Sequence, residues 1–200
     1  MIDVYVARLP SVEPNTPLSC VERQSDIDKV SNEVARREKY YAWRLLEYAI
    51  ENSLGADASR LSFTKGKNRR WFCSEVEFSL SHSHGALAVA VSKDQAVGVD
   101  VERVSVRDAA RMAEYMLTSL EKEQYESLDD SCREEWLIRR WCEKEAIFKS
   151  WNEEIFPPKK IETAELFCTS ITIDIADEKY ALAVAAEHSD EIRFFKDIKL

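Results

Sequence analysis

Apolar and polar positions along the chain alternate first with the period of a strand. Met1-Ile2-Asp3-Val4-Tyr5-Val6 reads as a strand. Pro10, Pro14 and Pro17 then mark a loop. From about Glu33 to Asn52 the period becomes helical. Ala42, Leu45, Leu46, Ala49 and Ile50 form its apolar stripe, while Arg37 and Arg44, seven apart, share another face. Leu54-Gly55 fits a helix stop. Strand patterns return at Glu77-Phe78-Ser79-Leu80, Leu87 to Val91 and Val97 to Val101. The last two are expected to pair as a hairpin across Ser92-Lys93-Asp94-Gln95. From Ser105 the character is helical again. Ser105-Val106-Arg107-Asp108 comes close to a capping box and Thr118-Ser119-Leu120-Glu121 fits another. A longer helix is predicted from about Arg133 to Trp151, and Pro157-Pro158 stops anything helical. Strand patterns at Ala164 to Cys168, Ser170 to Ile175, Tyr180 to Ala185 and Ile192 to Phe195 complete the chain. No low-complexity segment and no close repeat stands out. Each half mixes helices with strands, so an α+β fold of two small units is expected, residues 1–103 and 104–200.

One strand raises a chemical question. In Val97-Gly98-Val99-Asp100-Val101-Glu102 the three valines point one way, and Asp100 and Glu102 point the other, roughly 6.5–7 Å apart. The ordinary reading of such alternation is a half-buried strand with a solvated outer face. Gly98 shares the carboxylate face, and glycine in a strand often marks a bulge or the close approach of a backbone or ligand.

Composition narrows the classes. At 200 residues, 45% hydrophobic and 10% aromatic, the chain can bury a sizeable core. It carries 37 acidic and 28 basic residues, a formal −9, which argues against a general nucleic-acid binder. An anionic ligand would need local basic clusters. Arg60, Lys65, Lys67, Arg69 and Arg70 make the densest one, with a loop or turn at Lys65-Gly66-Lys67-Asn68. The five cysteines are widely spaced without C-x-x-C, which suits reduced cytoplasmic thiols rather than disulfides or zinc. No secretory leader pattern and no apolar run of membrane-spanning length is expected.

Two further constellations carry candidate chemistry. On the long helix, Trp141-Cys142-Glu143-Lys144-Glu145-Ala146-Ile147-Phe148-Lys149 places Glu145 and Lys149 four apart on one face. An exposed i,i+4 ion pair, stabilising by roughly 0.3–0.5 kcal/mol, is the bland explanation. The crowd of Ile138, Trp141 and Phe148 suggests instead a partly buried carboxylate, which needs a metal or a partner. Ser81-His82-Ser83-His84 supplies hydrogen-bond donors that suit a phosphate better than a zinc ion. Three carboxylates with histidine, lysines and arginines fit phosphate chemistry with magnesium. No P-loop and no G-x-S-x-G elbow occurs.

In order, Phe78-x-x-Ser81-His82-Ser83, Val97-Gly98-Val99-Asp100-Val101-Glu102 and Trp141-Cys142-x-Lys144-Glu145-Ala146-x-x-Lys149 resemble the motifs of the 4′-phosphopantetheinyl transferases, from about residue 36 onward. The length matches the two-domain, surfactin-synthetase-activating type. The resemblance implies a pseudo-twofold pair of α+β subdomains with the active site in the cleft between them. It implies transfer of the phosphopantetheine arm of coenzyme A to a serine of an apo acyl or peptidyl carrier protein, releasing 3′,5′-ADP. Carried over residue by residue, Asp100, Glu102 and Glu145 would bind Mg²⁺ with the pyrophosphate, and Lys149 would contact the phosphates. Ser81 and His82, helped by Arg44, would hold the 3′-phosphate. Lys67 would lie in the loop lining the adenine pocket, and Glu121 would stand near the incoming serine.

Three departures stand out. The family's G-K-P reads Gly66-Lys67-Asn68, Ser79 replaces an expected asparagine, and Ser150-Trp151-Asn152-Glu153-Glu154 stands where glycines usually follow the helix. The competing class is a catalytically silent coenzyme A or carrier-binding module on the same fold, and a hydrolase using His82 ranks third. A cytoplasmic protein is expected, and an internal pseudo-dimer makes a monomer the simpler expectation.

Overall fold

In the computed structural model, residues 1–66, 70–151, 153–163, 167–188 and 191–200 are described. The chain runs β1 (Ile2–Arg8), α1 (Val21–Asp28), α2 (Glu33–Leu54), β2 (Phe63–Lys65), β3 (Trp71–Cys73), β4 (Glu77–Ser83), β5 (Ala86–Ser92), β6 (Val97–Arg103), α3 (Ala109–Met116), α4 (Ser119–Ser127), α5 (Asp130–Trp151), β7 (Cys168–Ile175), β8 (Glu178–Ala186) and β9 (Ile192–Ile198). Helix and sheet are mixed, as an α+β fold requires.

Two sheets stack in the middle. One has the order β4-β5-β1-β9 and the other β6-β8-β7; β2 and β3 form a small separate ribbon. Ile2, Val4, Val6, Ala86, Ala88 and Ala90 of the first sheet meet Val97, Val99, Val101, Leu182 and Val184 of the second. The outer faces are covered by the two 22-residue helices. Helix α2 packs on Tyr5, Leu87, Val89 and Val91, and α5 on Ala181, Ala183 and Ala185. With helices or sheets on both faces, the central strands β5 and β8 read as continuous apolar runs.

Local chemistry explains most element ends. Asn32 caps α2 by accepting from Ala35 N–H, and Gly55 closes it in the left-handed conformation, φ 63°. Thr118 and Glu121 make the expected capping box of α4. The helix expected from Ser105 starts later, because Asp108 is its cap and accepts from Arg111 N–H. Helix α1 lies in the stretch that reads as a proline-marked loop.

The expected hairpin between Leu87 and Val101 does not form. Strand β5 pairs antiparallel with β1 and with β4, whereas β6 pairs with β8 in the other sheet. Two tight hairpins turn instead on two residues with positive φ each, His84-Gly85 (47° and 89°) and Ala176-Asp177 (52° and 67°). Such turns match the right-handed twist of their strands. The sheets also exchange strands across the expected 103/104 division. β6 joins the sheet of β7 and β8, and β9 runs parallel to β1 in the first sheet, where Arg193 grips Asp3 with two 2.7 Å bonds. Of the expected strand at 164–168, residues 164–166 lie outside the described ones, Phe167 is not in a strand, and Cys168 begins β7.

Candidate active site

Asp100 and Glu102 do point away from the three valines, but not into solvent. All three valines are fully buried between the sheets, and Asp100 is 3% exposed. The reason is Gly98. A Cβ there would lie 1.8 Å from the Ala146 carbonyl oxygen and 2.8 Å from Ser150 N, so the backbone of α5 rests directly on β6. That contact lays one face of α5 over the carboxylates, and Glu145 and Lys149 project from it.

The open edge of β6 is satisfied from the first sheet. Ser79 Oγ accepts from Val99 N–H at 3.0 Å, and Ser81 Oγ from Val101 N–H at 3.3 Å. Unpaired buried N–H groups are costly, so these serines fix where β6 meets β4. Ser81 then donates its proton to Asp100 Oδ1 at 2.7 Å, and Ser83 donates to Glu102. Ser81 was expected to hold a phosphate; its one hydroxyl proton is committed to Asp100, and it is 7% exposed.

Lys149 donates to Asp100 Oδ1 at 2.6 Å, Val99 O at 3.2 Å and Ser81 Oγ at 3.3 Å. Its ion pair is thus with Asp100 on the facing strand rather than with Glu145 one turn back. Burial lowers the lysine's pKa, but Asp100 and Glu145 overcome it and the balance is upward. Burial raises Glu145, with Lys149 opposing and Asp100 adding. Burial likewise lifts Glu102, against the Ser83 hydrogen bond, to about 7. Among the described residues Asp100 Oδ2 is buried with no hydrogen-bond partner. Anionic charge is therefore packed here beyond what the neighbouring cation neutralises.

Asp100, Glu102, Glu145, Lys149, Ser81, His82 and Trp141 line one cavity of about 260 Å³. Their orientation is not that of a finished metal cage. Among the described residues no three carboxylate, histidine or cysteine groups converge closely enough to ligate one ion. The donor set nonetheless suits a hard cation in kind: three carboxylates, one of them, Asp100, with a buried oxygen left unbonded among the described residues.

A second cavity, about 360 Å³, adjoins through Leu80, His82 and Lys149. Its walls combine Arg23, Lys39 and Arg70 with Trp71, Phe78 and Phe148, and Glu153 and Glu154 also line it. Arg23 lies over the rings of Trp43 (5.2 Å) and Trp71 (5.9 Å), and burial lowers its pKa and that of Arg70. Arg70 donates to the Lys149 carbonyl, where α5 is running out of intrahelical partners. His82 Nδ1 is 3.3 Å from Glu38 Oε2, and burial lowers its pKa while Glu38 raises it.

Two expected residues are not brought to these cavities. Arg44 lies on another face of α2, pairs with Glu47 at 2.7 Å, and lines neither cavity; Lys39 and Arg23 stand where it was expected. Helical phase could have favoured Lys39, but α1 had no signal in the pattern. Glu121 is 3% exposed and inside the protein. It takes a 2.8 Å bond from Lys144, whose ammonium also donates to Pro158 O and Ile161 O, using all three donors. Lys67, like Asn68, lies outside the described residues.

Residues 96–198 match the model of the 4′-phosphopantetheinyl transferase superfamily. The matched region spans β6, with Asp100 and Glu102, through α5 to β9. The chain therefore belongs to that superfamily, a class of transferases that move phosphopantetheine. No curated protein matches it. Among the described residues no helix is long and apolar enough to cross a membrane.

Proposed function

We propose that the chain is a Mg²⁺-dependent transferase of the two-domain type. It moves the phosphopantetheine arm of coenzyme A to a serine of an apo carrier protein and releases 3′,5′-ADP. The observation that carries the reading is the convergence of Asp100 and Glu102 from β6 with Glu145 and Lys149 from α5 on one cavity, beside a second cavity with cationic and aromatic walls. A pair of sheets, each covered by one 22-residue helix, supports the two-domain type and a pseudo-twofold plan.

In this mechanism Asp100, Glu102 and Glu145 would hold the cation, which would offset negative charge on the pyrophosphate. Arg23, Lys39 and Arg70 attract the phosphates, and Trp71, Phe78 and Phe148 offer apolar faces to the adenosine. His82 takes the 3′-phosphate. Lys149 lies at the junction of the two cavities and neutralises the departing phosphate. Gly98 and the serines of β4 preserve the spacing of these groups. The serine oxygen forms the new bond to phosphorus, the bond to the bridging oxygen breaks, the ADP phosphate keeps that electron pair, and the serine proton is released.

The test is incubation with apo carrier proteins, coenzyme A and Mg²⁺, read by intact-protein mass spectrometry. Addition of the arm is expected, and EDTA should abolish it. Coenzyme A binding without transfer to any carrier would favour the silent binding module instead.

A further inference from the structure

Strand alternation sends Ser79, Ser81 and Ser83 toward β6, and Phe78, Leu80 and His82 toward the other side of β4. There His82 meets the side chain of Glu38, a residue of α2 to which the sequence motifs give no role. Glu38 is 12% exposed at its side chain and touches β4 once and the turn after it once. Its Oε2 is 3.3 Å from His82 Nδ1, and its Oε1 accepts from Gly85 N–H at 3.3 Å in the following turn. The contact is an ion pair by distance, and because a carboxylate only accepts, its charge favours a proton on Nδ1. With Nδ1 turned to the carboxylate, Nε2 is the nitrogen left for a ligand, and it donates to an anion when the ring is an imidazolium. Among the described residues Nε2 has no hydrogen-bond partner. The ring borders both cavities. Three cations surround it, Lys149 of α5, Lys39 of α2 and Arg23 of α1, and Glu38 opposes them.

We propose that Glu38 is a positioning residue for His82: it anchors Nδ1 and the β4–β5 turn together, so that Nε2 meets a terminal phosphate monoester of the ligand. The inference rests on the coenzyme A reading, in which that group is the 3′-phosphate. A phosphate only accepts, so the ring meets it as an imidazolium with Nε2–H donating, and the carboxylate behind Nδ1 orients the ring and favours its positive charge. Both contacts of Glu38 act on β4 and its turn, so it works on the ligand only through His82.

The experiment measures calorimetric affinities of coenzyme A and its 3′-dephosphorylated form for the wild type, Glu38→Gln, His82→Gln and the double variant. Glu38→Gln retains an oxygen for the Gly85 amide, and thermal melts confirm that each variant is folded. The wild type is expected to prefer coenzyme A. Glu38→Gln should weaken coenzyme A by about tenfold and the dephosphorylated form by less than about twofold. His82→Gln should remove the preference, and the double variant should be no weaker than His82→Gln. Equal weakening for both ligands, or full additivity of the two substitutions, would make Glu38 merely structural and overturn the proposal. A wild type that binds both ligands equally removes the monoester from His82, and the proposal with it. A wild type that binds neither ends the coenzyme A reading itself.

Discussion

A methyl group on Gly98 would sit 1.8 Å from the Ala146 carbonyl oxygen, with two further backbone atoms at 2.8 Å, and the helix backbone cannot swing aside as a side chain would. Gly98→Ala should therefore cost about 1–3 kcal/mol or more, read by urea unfolding. Transfer should fall further than the folded fraction explains, because α5 is pushed off the carboxylates; unaltered stability would show that the helix gives way. Glu145→Gln tests the opposite balance. Burial has raised the folded pKa of this acid, so its charge opposes folding at neutral pH. The substitution should hold or raise the melting temperature while transfer drops by orders of magnitude; lower stability at full rate would leave Glu145 an ordinary helix residue. Glu102 gives the pH version. Its carboxyl is lifted from 4.5 to about 7. The folded state binds a proton that the unfolded chain has lost, so stability declines as pH rises across that window and levels off above it. In EDTA, Glu102→Gln should flatten that decline in the melting temperature. An identical slope in the variant would mean that Glu102 titrates normally.

At the scale of elements, α5 is fixed by a point the sequence motifs treat as functional. Lys144 is fully buried and joins α5 to the start of α4 through Glu121 and to the Pro158–Ile161 segment through two carbonyls. Breaking a buried pair from one side leaves an uncompensated charge, so Lys144→Met should cost about 3–5 kcal/mol. Lys144→Met combined with Glu121→Leu should cost less than Lys144→Met alone, because no lone carboxylate is left buried. A denaturant double-mutant cycle measures this. Strict additivity would show that Lys144 and Glu121 do not act as a pair.

For the whole molecule the contrast is between net charge and local charge. The protein carries −9, yet Arg23, Lys39, Arg70 and Lys149 converge on one cavity and outnumber its two acids, Glu153 and Glu154. A phosphate-rich ligand must be held by this local field against the global one. Coenzyme A affinity should therefore fall between about 0.05 M and about 0.5 M salt, as screening shortens the reach of the cations. A salt-independent Kd would shift the weight to the aromatic walls.

The sequence alone determined the mixed α+β class, both long helices, the stop at Gly55, the capping box at Thr118 and the outward direction of Asp100 and Glu102. These follow from local rules: side-chain period, backbone sterics and hydrogen bonds within a few residues. The spacing of three motifs also pointed to the superfamily that residues 96–198 match. What surrounds each face was decided only in three dimensions. Ala-Leu-Ala-Val-Ala occurs at 86–90 and again at 181–185. In β5 its leucine and valine face α2, whereas in β8 they face the opposing sheet and the alanines take α5. An identical string cannot encode both directions; the partner layers do. The same holds for β6, which looked like half of a hairpin and instead closes the second sheet. It holds too for Lys149, drawn to Asp100 across the fold rather than to Glu145 along its helix. Period fixes which residues share a face, but the burial that turns a face into a site comes from chain segments distant in sequence.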